Sequence, residues 1–350
     1  MEYLIQNHKN DDSRALLKEE LDAFLGKDPK KPLNGFIELV KKHDELELCF
    51  RGNSNPRITI YSHNNVAFTV LVNGTIEISF NHARYCENWR AFFDTLCQKY
   101  NFKGKIENTS SGDITVGMMS RSLKDNLPLS YEQIFSLYAD VVKPIFERYF
   151  DVEGKEGITD YFKHGKKVKV SGKKEKKRQQ EIYRLFKSLR NGYFFYDMEF
   201  AQPHNNIEEQ RGDDANNKPD MQGIKFDQDG IPDRIVFAEV KCTKDSMEGG
   251  SGIIKHLDKM LKYSEDKLVE RRKEACDILN QYAQLGLREL SGSDVFQYEN
   301  FKDLKPEILL IFTDDAKNIW ETDDNYKNVR EKTTKVNFDN PDVLVYRYGE

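Results

Sequence analysis

Residues Lys218 to Lys244 constrain the fold of this chain more than any other stretch. Two apolar runs flank Asp227-Gln-Asp-Gly-Ile-Pro232, a segment of turn-forming residues, and together they predict a β-hairpin. If that segment is the loop, facing residues sum to a constant. Phe226 is then expected opposite Asp233, and Asp220 opposite Glu239. Side chains alternate faces along a strand, so Glu239 and Lys241 share a face with Ile235 and Phe237 below them. Two carboxylates and a lysine converge at one end of the hairpin. Close carboxylates repel unless a cation sits between them. Hard oxygen ligands with water nearby suit Mg²⁺.

The flanking sequence supplies further elements. A helix is expected from about Glu175 to Arg190, carrying Glu181, with Ile182, Leu185, Phe186 and Leu189 as its apolar face and Gly192 as a stop. Tyr193 to Phe200 reads as a strand, followed by a polar insert from Ala201 to Asn217 and then the hairpin. Asp213 or Asp214 in that insert is an alternative acid, but the strand register favours Asp220. Gly249 to Gly252 lead into a long amphipathic helix with Ile253, Leu257, Met260, Leu261 and Leu268 on one face. Glu307 to Thr313 is a strand of the buried type.

Pro219-Asp220 followed by Glu239-Val240-Lys241, in this setting, resembles the signature of the PD-(D/E)xK nuclease superfamily. The resemblance implies a restriction-endonuclease-like core in the order helix, three strands, helix, strand, over roughly Lys173 to Thr313. It also implies a Mg²⁺-dependent nuclease acting on DNA, with Mn²⁺ as a substitute and RNA as an alternative substrate. Asp220 and Glu239 would hold the metal with the Val240 carbonyl. Lys241 would orient water or stabilise the transition state, and Glu181 would serve a second metal or position water. One departure is that Lys259 stands four residues before Tyr263, where many RecB-like members carry Gln. A catalytically inactive nucleic-acid-binding or assembly module on the same fold is the competing reading. Bacterial antiviral defence or restriction is a setting suggested by analogy alone.

The run from Lys166 to Arg178 is the most basic in the chain. It reads either as a solvated loop and first helical turn or, because it adjoins the helix of Glu181, as a phosphate-binding patch. In the second reading Lys173, Lys174, Lys176, Lys177 and Arg178 contact DNA. The overall charge of −5 does not itself point to nucleic acid.

Upstream, Asp12 or Ser13 caps an expected helix with Leu17, Leu21, Phe24 and Leu25 inward, and Phe36, Ile37, Leu39 and Val40 mark a second. The period then changes to two. Leu46, Leu48 and Phe50 alternate, as do Ile58 and Ile60, and Asn73-Gly74 lies between two more strands. A helix is expected from Glu87 to Tyr100, a loop at Asn108 to Asp113, and a further helix from Ser130 to about Phe150. The whole chain is therefore expected to be α/β, or α+β overall. Residues 1–125 form an antiparallel-sheet-plus-helix domain for recognition, regulation or assembly, and 126–350 the nuclease-like domain. The first domain is where a homo-oligomer or partner protein would attach. Five scattered cysteines without Cys-x-x-Cys argue against a disulfide framework or cysteine zinc site and fit a reducing cytoplasm. The histidines form no ligand-spaced cluster and none is assigned to a metal. The chain is read as lacking a signal peptide and a membrane-spanning run.

Overall fold

The structure, a computed structural model, describes residues 14–25, 33–52, 56–62, 65–72, 75–81, 97–99, 103–108, 115–122, 131–143, 160–163, 166–169, 173–186, 192–198, 219–248, 252–287, 295–338 and 340–349. It is a mixed α/β protein, α+β overall, with two six-stranded sheets and a two-stranded ribbon. Two compact units comprise Met1–Lys173 and Lys174–Glu350.

In the first unit, helices α1 (Lys18–Phe24) and α2 (Leu33–Lys42) precede a meander of β1 (Leu46–Arg51), β2 (Arg57–Ser62), β3 (Asn65–Leu71) and β4 (Thr75–Asn81). Strands β5 (Lys103–Asn108) and β6 (Thr115–Ser122) complete a sheet of order β1-β2-β3-β4-β6-β5. Phe36, Ile37, Leu39 and Val40 are all buried, as the helical spacing requires, and Phe36 meets Phe68 edge-on at 5.1 Å. Helix α3 (Tyr131–Leu137) runs into a π-helical turn, Tyr138–Val142. The Tyr138 hydroxyl donates to Glu45 Oε1 at 2.8 Å and Lys143 Nζ to the same oxygen at 3.1 Å. These contacts tie α3 to the turn between α2 and β1. The division of the chain accordingly falls at 173/174 rather than at 125/126. The expected helix Glu87–Tyr100 lies outside the described residues except Cys97–Lys99, which are helical. The ends of the helix expected from Ser130 to Phe150, and Asn73-Gly74, also lie outside them. The basic run differs from a loop: β8 (Lys166–Lys169) pairs antiparallel with β7 (Asp160–Lys163).

The second unit opens with α4 (Lys173–Leu185), where Ile182, Tyr183 and Phe186 are buried. Leu185, expected inward, is 36% exposed, because the buried stripe runs through Tyr183 instead. Strand β9 (Tyr193–Met198) pairs with β10 (Met221–Phe226), and β10 with β11 (Pro232–Lys241), all antiparallel. The hairpin turn closes as its residues predict. Asp227 Oδ1 accepts from the amides of Asp229 and Ile231 at 2.9 and 2.8 Å, and Gly230 takes φ +76°. After α5 (Lys244–Met247) come α6 (Ile253–Asp266) and α7 (Leu268–Leu285). The single long helix expected here is broken at Lys267, whose ψ of 5° leaves the helical range, and Leu268 begins the second helix. Strand β12 (Lys305–Thr313) then runs parallel to β11. Helices α8 (Asp314–Thr322) and α9 (Lys327–Arg330) precede β13 (Thr333–Val336) and β14 (Val343–Tyr348), giving the order β13-β14-β12-β11-β10-β9. Residues 235–241 of β11 are buried throughout, as suits a strand with neighbours on both edges and cover on both faces. Phe237 stands edge-on to Tyr263 of α6 at 5.8 Å, so α6 covers the face that carries Glu239.

Candidate active site

The hairpin register is set by the turn. Met221 faces Ala238 and Lys225 faces Arg234, as the constant sum requires. At the turn end a bulge between Lys225 and Phe226 moves Phe226 opposite Pro232, not Asp233. At the other end the ladder stops at Met221, and Asp220 is joined to β11 by its side chain: Val240 N donates to Asp220 Oδ2 at 2.9 Å. Asp220, half-buried, therefore lies beside the Glu239-Val240-Lys241 segment.

Glu239 and Lys241 are each 2% exposed. They project from the same face of β11, and Lys241 Nζ donates to Glu239 Oε1 at 2.7 Å. A third group reaches that oxygen. His256, in the first turn of α6, places Nδ1 at 2.5 Å from Glu239 Oε1. A carboxylate only accepts, so Nδ1 carries the proton and donates. Burial pushes the Glu239 carboxyl up, but the His256 hydrogen bond and the Lys241 ammonium outweigh it and hold the group below the usual carboxylate range. Glu239 is thus ionised inside the protein, its charge met by a lysine from its own strand and a histidine from the covering helix.

Next to this group lies a polar layer that the motif does not contain. Asp197 on β9 faces Gln222 on β10, and both are 1% exposed. Gln222 Nε2 donates to the Tyr263 hydroxyl at 3.5 Å. The tyrosine of α6 therefore meets a glutamine from the sheet, while Lys259 stands at the helical position four residues before it.

The Glu181 carboxylate is engaged elsewhere. Arg178 donates to Glu181 Oε2 at 2.5 Å and forks the Asp314 carboxylate at 3.0 and 3.1 Å. Asp314 has φ +48°, a left-handed conformation rare for a residue with a side chain. The fork from Arg178 and a 3.1 Å donation from the Thr313 hydroxyl hold it there. Lys241 faces Phe312 in the parallel ladder, so Asp314 follows β12 at the same carboxyl end as Lys241. Glu181 thus approaches this end of the sheet through Arg178, and its contact is with Arg178 rather than with Asp220 or Glu239.

Of the residues singled out in the sequence, the fold joins Asp220, Glu239, Val240 and Lys241, and places Glu181 in a separate ion-pair cluster with Arg178. Lys173, Lys174, Lys176 and Lys177 lie in the first turns of α4. Asp213 and Asp214 lie outside the described residues. His256, Gln222, Tyr263 and Asp197 were not singled out as site residues. Asp197 does leave a trace, as the one charge in the run Tyr-Phe-Phe-Tyr-Asp-Met. His256 leaves none, because its partner lies across a loop and on another element. Among the described residues, no three His, Cys, Asp or Glu side chains form a ready metal cage. No protein-family model matches the chain, and no curated protein matches it.

Proposed function

We propose that the second unit is a PD-(D/E)xK-type nuclease that hydrolyses phosphodiester bonds in DNA with Mg²⁺. The observation that carries this reading is the joining of Asp220 to the Glu239-Val240-Lys241 segment through the 2.9 Å bond from Val240 N. The element sequence α4, β9, β10, β11, α6 and β12 supports it, being the helix, three strands, helix, strand that the resemblance implies, with α5 and α7 as additions.

The donor set fits magnesium better than a transition metal. Mg²⁺ takes one or two carboxylates and keeps several waters, so it needs no cage of three acidic side chains. Asp220 and Glu239 would supply the carboxylates. In an extended strand the N–H and C=O of one residue point towards the same neighbour, so the Val240 carbonyl lies on the Asp220 side and would supply a third oxygen. The ion, when bound, lowers the pKa of a coordinated water and offsets charge on the phosphate. The chain's own part is to hold the remaining groups in place. Both donors to Glu239 fall on Oε1, which leaves Oε2 as the oxygen to turn to the ion. Lys241 moves from Oε1 to the attacking water or a phosphate oxygen, where a point charge on a flexible stem follows the developing charge.

Incubation of plasmid, linear and single-stranded DNA, and of RNA, with Mg²⁺, Mn²⁺ or EDTA tests the reading. DNA cleavage that EDTA abolishes is expected. A folded protein that cuts none of them with either ion overturns it, and cleavage of RNA alone reassigns the substrate. The buried Glu239–Lys241 pair favours one other reading, a retained structural ion pair in an inactive binding module. Metal-independent binding of DNA without cleavage is the result that reading requires.

A further inference from the structure

We infer that His256 is a positioning residue of this site, whose Nδ1–H fixes the Glu239 carboxylate so that its second oxygen is presented to the divalent ion. The inference rests on the nuclease reading above and adds a residue that the motif lacks.

Three observations carry it. The first is that Glu239 is almost wholly buried, yet two donors from different elements meet on one of its oxygens, His256 Nδ1 at 2.5 Å and Lys241 Nζ at 2.7 Å. A buried carboxylate oxygen that loses its donors is strongly destabilised. If Lys241 leaves Oε1 to meet water or phosphate, a second donor must stay behind, and His256 is that donor.

The second is the difference in stiffness between the two donors. The lysine ammonium rides on a four-carbon stem and sets no plane for the carboxylate. The imidazole is carried by a helix, and His256 N is itself bonded to Gly252 O at 3.1 Å, in the first turn of α6. Phe237 and Tyr263 pack the same helix against the same strand. The imidazole is therefore placed by backbone and packing, and it alone can define the orientation of Glu239.

The third is location. The His256 side chain is 31% exposed where that of Glu239 is 3% exposed. The ring spans from solvent to the buried carboxylate and forms part of the wall beside it. Partners that orient a metal-binding group are worth roughly 10–100-fold in metal affinity or activity.

The test uses the full chain. Calorimetric titration with Mg²⁺ alone and Mn²⁺ alone is compared for wild type, Asp220→Ala, His256→Phe and His256→Asn, alongside the melting temperature of each without metal. His256→Phe keeps a ring and removes the donor. Its metal affinity should fall about 10–100-fold, with a melting temperature lower than wild type but above that of Glu239→Ala, because Lys241 Nζ still meets Oε1. His256→Asn can put an amide N–H near the position of Nδ1–H and should recover most of that loss. In cleavage assays, saturating Mg²⁺ should restore His256→Phe to within about threefold of wild type, because a group acting on the reacting atoms would stay slow at any metal concentration. Wild-type metal affinity in His256→Phe overturns the inference, as does an Asn variant no better than Phe. If His256→Phe does not fold, His256→Ala takes its place with the same expectation. Absence of metal binding in wild type, or full binding in Asp220→Ala, instead sinks the nuclease reading on which the inference stands.

Discussion

Asp220 and Glu239 serve the same proposed ion, but their removal should affect the folded protein differently. Considered as two carboxylates alone they repel, and deleting either would relieve strain. The structure changes that expectation for Glu239, which is already matched by Lys241 and His256. Glu239→Ala leaves Lys241, 2% exposed, without this counter-charge. Breaking a buried pair in this way costs about 3–5 kcal/mol, so the variant should melt well below wild type. Asp220 is half-buried and accepts from a backbone amide, and Asp220→Ala should cost only about 1 kcal/mol. Both should lose divalent-ion binding and cleavage, as calorimetry and digestion would record, and full activity in either would remove it from the site. Lys241→Ala should separate chemistry from binding. Mg²⁺ affinity should survive, since His256 still holds Oε1, while single-turnover cleavage falls at least ~100-fold. Wild-type cleavage by this variant, or loss of the metal along with the rate, would show that Lys241 has another role. Lys241→Arg should rescue little, because a planar, wider guanidinium does not fit a site sized for an ammonium.

At the scale of the element, β10 depends on one glycine. A Cβ on Gly223 would stand 2.5 Å from Phe194 O and 2.9 Å from Phe195 Cα, where β9 bulges against it. Backbone cannot yield as a side-chain tip can, so Gly223→Ala should cost about 2 kcal/mol, read from the denaturant midpoint. An unchanged midpoint would mean that β9 shifts freely. In the first unit, the tie between α3 and the turn before β1 should be sensitive to acid. Burial pushes the Glu45 carboxyl up, but a hydrogen bond from its own backbone amide, with those from Tyr138 and Lys143, outweighs burial and draws the group down from 4.5 to about 2. A depressed folded-state value contributes stability above the unfolded value, and that contribution is lost as pH falls through the folded one. Glu45→Gln should therefore be less stable than wild type at neutral pH, by on the order of 1 kcal/mol after solvent screening. The gap should close between pH 4.5 and about 2, and a gap independent of pH would deny Glu45 this role.

The elements also show what periodicity conveys. The alternation in β1, β2 and the hairpin was legible because each strand has one apolar face and a recognisable turn. Strands β5 and β6 were not, since Lys-Gly-Lys-Ile-Glu-Asn and Thr-Val-Gly-Met-Met-Ser-Arg-Ser carry little alternation, and β6 joins the sheet through β4 rather than through a strand next to it in the chain on that side. Strand β8, Lys-Lys-Val-Lys, reads as solvated charge until β7 is beside it. In the site, Asp220, Glu239 and Lys241 were legible because hairpin register is local. His256 and Gln222 were not, because what gives each its meaning is a helix packed across a sheet.

For the whole molecule, 54 basic residues stand against 59 acidic ones, so affinity for a polyanion must come from a local surface. In the sequence, lysines gather most closely at the start of α4, in Lys-Lys-Glu-Lys-Lys-Arg. Arg178 contributes less to it than the sequence suggests, because Glu181 and Asp314 already share its charge. Reversing Lys173, Lys174, Lys176 and Lys177 to Glu should weaken DNA binding and lower the slope of log K against log salt by about 0.9 for each phosphate no longer neutralised. A slope equal to that of wild type would show the lysines to be solvated only. The order β13-β14-β12-β11-β10-β9 has a consequence for the making of the protein. On the ribosome, β12 emerges with β11 already available on one edge, but its other edge waits for β14, which is encoded later. Through that interval the growing chain carries a buried-type apolar strand with a row of open hydrogen-bonding groups. The pace at which residues 314–348 are translated, and what shields β12 meanwhile, therefore bears on how much of the nascent protein folds alone rather than against its neighbours on the same message.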